Sequence, residues 1–119
     1  MASANTSSSQ NNVLSRVSCA ASTSCVAVGY YYNGTHFQTL AEAWNGTTWS
    51  IVASPDATVS HSNWLLGVSC ASSNSCTAVG HYYNGTLNQT LVENWNGTSW
   101  SVAATPNTSA AQNNYLYGV

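Results

Sequence analysis

Charged side chains are almost absent from this sequence. Among its 119 residues there is no lysine, a single basic residue, Arg16, and three acidic residues, Glu42, Asp56 and Glu93. Surfaces that bind nucleic acid or anionic lipid carry clustered Lys and Arg, which neutralise phosphate groups. We therefore expect no nucleic-acid partner.

Long apolar runs and catalytic motifs are also missing. No run approaches the 18 apolar residues of a membrane-spanning helix, so we expect no membrane insertion. The first twelve residues lack the apolar core of a signal peptide. No Gly-x-Ser-x-Gly elbow or Gly-rich phosphate loop occurs, and apolar residues show no helical period of 3.6. These absences predict an all-β chain that is not an enzyme and holds no cofactor.

The sequence does contain a repeat with a period of 51 residues. Residues 13–63 and 64–114 are identical at 29 of 51 positions and align without insertion or deletion. The stretch 114–119 then matches 63–68, so a third copy begins. This period predicts four parts: residues 1–12, equivalent to a linker between repeats; repeat 1, residues 13–63; repeat 2, residues 64–114; and the first strand of a third repeat, residues 115–119.

Each repeat has the pattern of a four-stranded antiparallel meander. In repeat 2 alternating apolar residues predict strands at about 64–70, 75–83, 88–95 and 98–103. Asn-Gly pairs at 84–85 and 96–97 are typical of two-residue type I′ hairpin turns. Four strands in about 50 residues is the size of a β-propeller blade. We therefore expect an all-β fold of four-stranded propeller blades, with two full blades and an extra first strand per chain.

The repeat also resembles a known group of sequences. The strings Leu66-Gly-Val-Ser-Cys70, Ser75-Cys-Thr-Ala-Val-Gly80 and Thr90-Leu-Val-Glu-Asn-Trp-Asn-Gly-Thr-Ser-Trp-Ser101 resemble the repeat of uncharacterised secreted bacterial β-propeller-like proteins. Such blades are similar to kelch and Asp-box blades in having a turn flanked by Trp, as in Trp44-Asn-Gly-Thr-Thr-Trp49. The Ser-x-Asp-x-Gly pattern of the Asp-box is missing, so no sialidase residue is carried over.

The four cysteines indicate the cellular compartment in which the protein is found. Each repeat has one Cys-x5-Cys pair where its first two strands meet, which predicts the disulfides Cys19–Cys25 and Cys70–Cys76. The alternative is a zinc site, but Cys-x2-Cys spacing is absent and no histidine recurs between the copies. We therefore predict no metal site and an extracellular or cell-surface location.

Glu42 and Glu93 recur in the motif Thr-Leu-x-Glu-x-Trp. Strand alternation places Glu42 on the same face as Leu40 and Trp44, which predicts a partly buried carboxylate. Such a carboxylate either accepts hydrogen bonds that join adjacent blades or binds a ligand. Hydrolysis by paired carboxylates is not expected, because the two residues lie one whole blade apart.

Aromatic residues supply the remaining candidates for binding. The four Trp residues that flank the turns either cover the faces between blades or form platforms for sugar rings. Paired Tyr residues precede the first Asn-Gly turn of each repeat and offer a second place where a glycan could stack. The predicted ligand-binding residues are Tyr31, Tyr32, Glu42, Trp44, Tyr82, Tyr83, Glu93 and Trp95.

Two stacked blades leave one apolar face open at each end, which predicts self-association. Three chains would form a six-bladed ring and four an eight-bladed ring, and the same contact would give an open filament if the ring did not close. Two functions follow. The first is a lectin-like propeller that binds glycans, and the alternative is a structural or surface-assembly protein.

Overall fold

A computed structural model describes residues 2–109 and 111–119. Within these residues there are eight β-strands and no helix, and hence no helix that could cross a membrane. The strands are β1 (Asn12–Ala21), β2 (Ser24–Tyr32), β3 (Phe37–Trp44), β4 (Trp49–Val52), β5 (Asn63–Ser72), β6 (Ser75–Tyr83), β7 (Asn88–Trp95) and β8 (Trp100–Ala103).

The strands form two antiparallel sheets, one for each repeat. Their orders are β1-β2-β3-β4 and β5-β6-β7-β8, which confirms the two four-stranded meanders. The bounds of β6 and β7 match the sequence prediction, whereas β5 is longer than 64–70 and β8 is shorter than 98–103. β5 contains two register shifts, and the second, between Cys70 and Ser72, lets the strand continue past Cys70.

The hairpin turns differ from the predicted type I′ turns. Positive φ occurs only at glycines within the described residues, so the preceding Asn does not adopt the left-handed conformation that a type I′ turn requires. Instead four residues connect β2 and β3, and Asn33 Oδ1 accepts hydrogen bonds from the backbone N–H groups of Thr35 and His36. The same arrangement recurs at Asn45, Asn84 and Asn96. The Asn side chain thus closes each turn.

Both predicted disulfides are present. Cys19 lies opposite Cys25 across β1 and β2, and Cys70 lies opposite Cys76 across β5 and β6. Each bond therefore joins the ends of two adjacent strands. No cysteine is free.

The main hydrophobic core lies between the two sheets. We call the face of each sheet that carries its Glu the leading face and the opposite face the trailing face. Val28 and Ala41 on the trailing face of repeat 1 pack against Leu65, Val68 and other residues on the leading face of repeat 2. The remaining buried members of this core are Cys76, Ala78, Leu91 and Trp100. The sheets are therefore stacked, with unlike faces in contact.

The linker from 53 to 62 is bonded to both repeats. Asp56 Oδ1 accepts a hydrogen bond from Thr39 N of repeat 1 (2.8 Å), and Asn63 Oδ1 accepts one from Ala57 N (2.9 Å). The equivalent bonds hold the other two copies of this segment: Thr6 N to Asn12, Thr90 N to Asn107, and Thr108 N to Asn114. The three segments therefore share the hydrogen bond that their final Asn side chain accepts.

The expected extra first strand is not formed by residues 114–119, although they occupy its position. Asn114 N donates to Asn88 O (2.8 Å), and Gly118 lies so near Gly67 that a Cβ at Gly67 would be 2.9 Å from the Gly118 Cα. The segment therefore packs against repeat 2. It forms no strand because no second strand of a third repeat lies beside it to pair with its backbone.

Candidate functional site

Each repeat contains a cleft at the equivalent position. The cleft of repeat 2 has a volume of about 390 Å³ and that of repeat 1 about 220 Å³. Tyr82 lines the larger cleft and its counterpart Tyr31 lines the smaller one. The other residues that line the larger cleft are Asp56, Ala57, Thr90, Leu91, Val102, Ala103, Ala104, Thr105 and Asn107. Because the cleft recurs with the sequence period, it is a structural feature of the repeat.

Polar groups on the wall of the larger cleft are held in fixed positions. Asn107 Oδ1 accepts hydrogen bonds from Thr90 N and Thr90 Oγ1, both at 3.0 Å. The hydroxyl groups of Thr90 and Thr105 lie 2.7 Å apart. Leu91 and Val102 supply apolar surface beside them. An oriented amide, hydroxyls and a phenol next to apolar surface form a lining that suits a polar, uncharged ligand.

A third pocket of about 160 Å³ lies between the sheets. Glu42, Trp44 and Trp95 line it together with Trp100, so the structure brings three of the predicted site residues together there. Trp44 and Trp49 form a pair with ring centroids 5.7 Å apart, as do Trp95 and Trp100. Only Trp100 is buried, because the pair in repeat 2 faces the other sheet. For that pair, packing between the sheets is confirmed.

The two glutamates are both buried, as expected, but their surroundings differ. Glu42 is 1% exposed and Glu93 is 0% exposed. Ala4 N donates a hydrogen bond to Glu42 Oε1 at 2.8 Å. Neither oxygen of Glu93 has a hydrogen-bond partner among the described residues. The counterpart of Ala4 in repeat 2 is Pro55, which has no N–H to donate.

The unpartnered carboxyl of Glu93 has a strongly altered acidity. Burial, together with the nearby carboxylate of Asp56, raises the pKa of Glu93 to about 8. Burial also raises the pKa of Asp56, while hydrogen bonds from Thr39 oppose the change. Glu93 therefore keeps its proton at neutral pH.

Tyr32 and Tyr83 lie outside all three pockets. Tyr32 contacts Phe37 (5.2 Å between centroids), and Tyr83 contacts His61 (5.6 Å). Nearby, His81 lies 4.7 Å from Trp64 and 4.9 Å from Tyr115, and burial lowers its pKa. The rings form two groups that each join the repeats: one runs from Tyr32 through Phe37, Trp64 and His81 to Tyr115, and the other from His36 through His61 to Tyr83.

Sequence reasoning missed Asp56, Thr90 and Asn107. Asp56 and Asn107 stand at equivalent positions, directly after Pro55 and Pro106. The recurring Pro, followed by a residue with a side-chain carbonyl, was a signal in the 51-residue period. The sequence did not show that the linker would fold back to line a cleft.

Comparison with other proteins supplies no family or fold. No protein-family model, no curated protein and no solved structure matches the chain. Among the described residues no group of three His, Cys, Asp or Glu side chains is placed to hold a metal ion.

Proposed function

We propose that this protein is an extracellular, non-enzymatic β-propeller module, that several two-repeat chains assemble to form it, and that it binds carbohydrate. The observation that carries the proposal is the recurrence of one cleft in both repeats, bounded by linker and outer strands. An assembly of such chains would present the same cleft once per repeat. Multiple equivalent shallow sites are the arrangement by which glycan-binding proteins gain avidity.

The lining of the cleft favours a sugar over a charged or wholly apolar ligand. Tyr82 offers a ring and a phenol, and the neighbouring hydroxyl and amide groups are fixed by the bonds described above. A sugar presents hydroxyl groups around an apolar C–H face, which matches this mixture. The one carboxyl group in the lining, that of Asp56, is a hydrogen-bond acceptor for sugar hydroxyls.

The geometry argues against glycoside hydrolysis. Such enzymes place two carboxyl groups on either side of the scissile bond. Glu93 has the raised pKa of a general acid, but it is wholly buried, so no glycosidic oxygen can reach it. Only Asp56 of the pair lines the cleft.

A glycan array tests the sugar-binding proposal. We expect the unmodified chain to retain a defined set of glycans and Tyr82→Phe to bind them several-fold more weakly, because it loses only the phenol. Tyr83→Phe is the matched control, since Tyr83 lies at the next position and outside the cleft. Absence of binding to any glycan, or equal weakening by both changes, would refute a site in this cleft.

Assembly is supported by the open leading face of repeat 1. Leu14 is 40% exposed, whereas its counterpart Leu65 is 0% exposed. Val17 is 58% exposed, whereas Val68 is 8% exposed. The covered copies lie against the trailing face of another repeat, so the open copies fit a further repeat of the same kind, which a second chain can supply.

Light scattering on the non-reduced protein tests this assembly. A discrete trimer or tetramer that Val17→Glu converts to monomers would support a closed ring. Val59→Glu is the control, because Val59 is the same residue type and is even more exposed, but lies in the linker. A monomer at all concentrations would contradict the assembly.

The second candidate is a structural protein that forms an open filament by blade stacking or strand exchange. It is favoured by the contact of unlike faces, since such a contact continues indefinitely when the rotation does not close. Fibres seen by electron microscopy, without glycan binding, would favour it. Under either proposal the two disulfides fit an extracellular location.

A further inference from the structure

We propose that repeat 2 carries the docking surface for repeat 1 of a second copy of this chain, and that residues 114–119 cover this surface until the second copy displaces them. We call residues 114–119 the cap. This surface rests on the assembly proposed above, and it specifies which two faces meet and which segment competes for one of them.

The cap holds the same place on repeat 2 that residues 63–68 hold on repeat 1. Just before residues 63–68, Ser62 Oγ accepts the N–H of Phe37 at 3.0 Å. Just before the cap, Asn113 Oδ1 accepts the N–H of Asn88, the counterpart of Phe37, at 2.9 Å. Equivalent bonds therefore fix both segments against the sheet that precedes them.

Two segments cannot occupy this place at once. If a second copy stacks on repeat 2 as repeat 2 stacks on repeat 1, the period assigns its residues 12–17 to the position of the cap. The cap lies directly against β5, since a Cβ added at Gly67 would be 2.9 Å from Gly118 Cα. The cap must therefore leave before a second copy can dock.

The cap is the weaker of the two competitors. It forms no strand, and its residues Tyr115, Tyr117 and Val119 are exposed. The first strand of a second copy is already paired with its own β2, so it brings the whole leading face of a sheet. On that face Leu14 and Val17 are exposed in the single chain, and docking would bury them.

The trailing face of repeat 2 has room for such a sheet. Ala41 on the trailing face of repeat 1 is buried in the core between the two repeats. Its counterpart on the trailing face of repeat 2 is the larger Val92, which is only half-buried. A second copy would bury Val92 as repeat 2 buries Ala41.

A donor and an acceptor define the register of docking. Within the chain, Cys70 N of β5 donates to Ser18 Oγ of β1 at 3.0 Å and thereby joins the two sheets. By the period, the equivalent bond between two copies joins Cys19 N of the second copy to Ser69 Oγ of repeat 2. Cys19 and Ser69 are exposed in the single chain, whereas Ser18 and Cys70 are half-buried. The same bond can therefore form once more between two copies.

Tyr115→Ala tests the competition, because two side-chain contacts of Tyr115 hold the cap. Its ring lies 4.9 Å from that of His81, and its hydroxyl accepts a hydrogen bond from Asn88 Nδ2 at 3.2 Å. Light scattering on the non-reduced variant should show half-complete assembly at about tenfold lower concentration than for the unmodified chain. Tyr117→Ala is the matched control with a much smaller effect, because Tyr117 is more exposed and its ring lies 6.4 Å from His81.

Ser69→Ala tests the bond between the copies. It removes the acceptor for Cys19 N of the second copy and should raise the concentration of half-complete assembly several-fold, with no loss of Tm in the monomer. Ser18→Ala is the contrasting variant, because it removes the bond within the chain and should lower the Tm of the monomer. An equal loss of Tm in both variants would place the Ser69 hydroxyl in the single chain's own structure and overturn its docking role.

Hydrogen exchange distinguishes displacement of the cap from strand exchange. Asn114 N donates to Asn88 O in the single chain, so this amide should exchange slowly in the monomer and fast in the assembly. Slower exchange across residues 115–119 in the assembly would show that the cap pairs with β2 of the second copy, and would overturn the proposal.

The remaining results separate the cap from assembly itself. Assembly of Tyr115→Ala that is equal to or weaker than that of the unmodified chain would overturn the competition and leave the assembly standing. If both chains stayed monomeric at every concentration, the assembly would be refuted, and the docking surface with it. Neither result bears on glycan retention.

Discussion

Repeat 1 and repeat 2 place the same glutamate at the same point of the same sheet and surround it differently. Glu42 accepts the N–H of Ala4 from the segment before repeat 1. Glu93 receives nothing from Pro55 and lies near the carboxylate of Asp56. Two things differ between the repeats: the linker residue that crosses the glutamate, and the cover of the leading face, which repeat 1 provides for Glu93 and no sheet of this chain provides for Glu42. The acidity of a buried carboxyl in this fold therefore depends on what covers its face as well as on its own strand.

The largest expected effect is a dependence of stability on pH. The pKa of Glu93 is about 8 in the folded chain, against an ordinary value of 4.5. Below pH 4.5 both the folded and the unfolded state hold the Glu93 proton, and the contribution of Glu93 to stability is highest. As the pH rises from 4.5 towards 8, only the unfolded state releases this proton, so the contribution of Glu93 to the free energy of unfolding falls by about 5 kcal/mol. Above pH 8 this contribution stays constant.

Urea unfolding at pH 4.5, 6.5 and 8.5, without reductant, measures this loss. Glu93→Gln should flatten most of the dependence, and Glu42→Gln should leave the Glu93 contribution in place. If the free energy of unfolding changed equally with pH in the unmodified chain and in Glu93→Gln, the pKa of Glu93 would be close to its ordinary value.

The next effect compares the covered and open copies of one leucine. Leu65→Ala should destabilise the chain by about 3 kcal/mol, because it leaves a cavity between the sheets. Leu14→Ala should cost less than about 1 kcal/mol in the monomer, since Leu14 is partly exposed, and more in an assembly that covers it. Denaturant titration over a range of protein concentrations distinguishes these cases. Equal costs at low concentration would mean that Leu14 is already covered in the single chain.

A proline exchange makes the first repeat resemble the second. Ala4→Pro removes the one N–H that Glu42 accepts from the described part of the chain and should cost about 1–3 kcal/mol. The reverse change, Pro55→Ala, should provide a donor to Glu93 and lower its pKa, which reduces the loss of stability at high pH. Ala2→Pro is the control, because Ala2 is exposed and precedes the contact. Equal thermal midpoints for Ala4→Pro and Ala2→Pro would contradict a stabilising hydrogen bond from Ala4 N to Glu42.

The smallest expected effect is that of Asp56→Asn on the free energy of unfolding. Asn retains the carbonyl oxygen that accepts the N–H of Thr39, and it removes the charge near Glu93. The free energy of unfolding should change by no more than about 0.5 kcal/mol at pH 6.5. Thermal unfolding at pH 6.5 measures this change. A large loss of stability would show that the charge itself holds the linker.

Local signals made much of the fold predictable from sequence. The two Cys-x5-Cys pairs, the Asn-Gly turns and the alternation around Glu42 each depend on residues close in the chain, and the disulfides, the meanders and the burial of the glutamates are all present. The turn type was wrong because the Asn side chain, and not a left-handed backbone, closes each loop.

The candidate site was less predictable because it depends on contacts distant in sequence. Tyr31 and Tyr82 line clefts, whereas Tyr32 and Tyr83 lie in two groups of aromatic rings that join the repeats. The role of Asp56 follows from a linker that returns over the sheet, and nothing in its local sequence specifies that path. The first strand of a third repeat is not formed, because a strand requires a neighbour that the pattern of one strand does not contain.

The hydrogen bonds of the linker determine where one cooperative folding unit ends and the next begins. Asp56 accepts the N–H of Thr39 in the sheet of repeat 1, and Ser62 Oγ accepts the N–H of Phe37 at the start of β3 (3.0 Å). The sheet of repeat 1 therefore depends on linker residues that follow its last strand. A single repeat excised as residues 13–63 would lack the segment that covers Glu42. Folding should thus spread between neighbours as in a one-dimensional array, in which each linker belongs to two units at once.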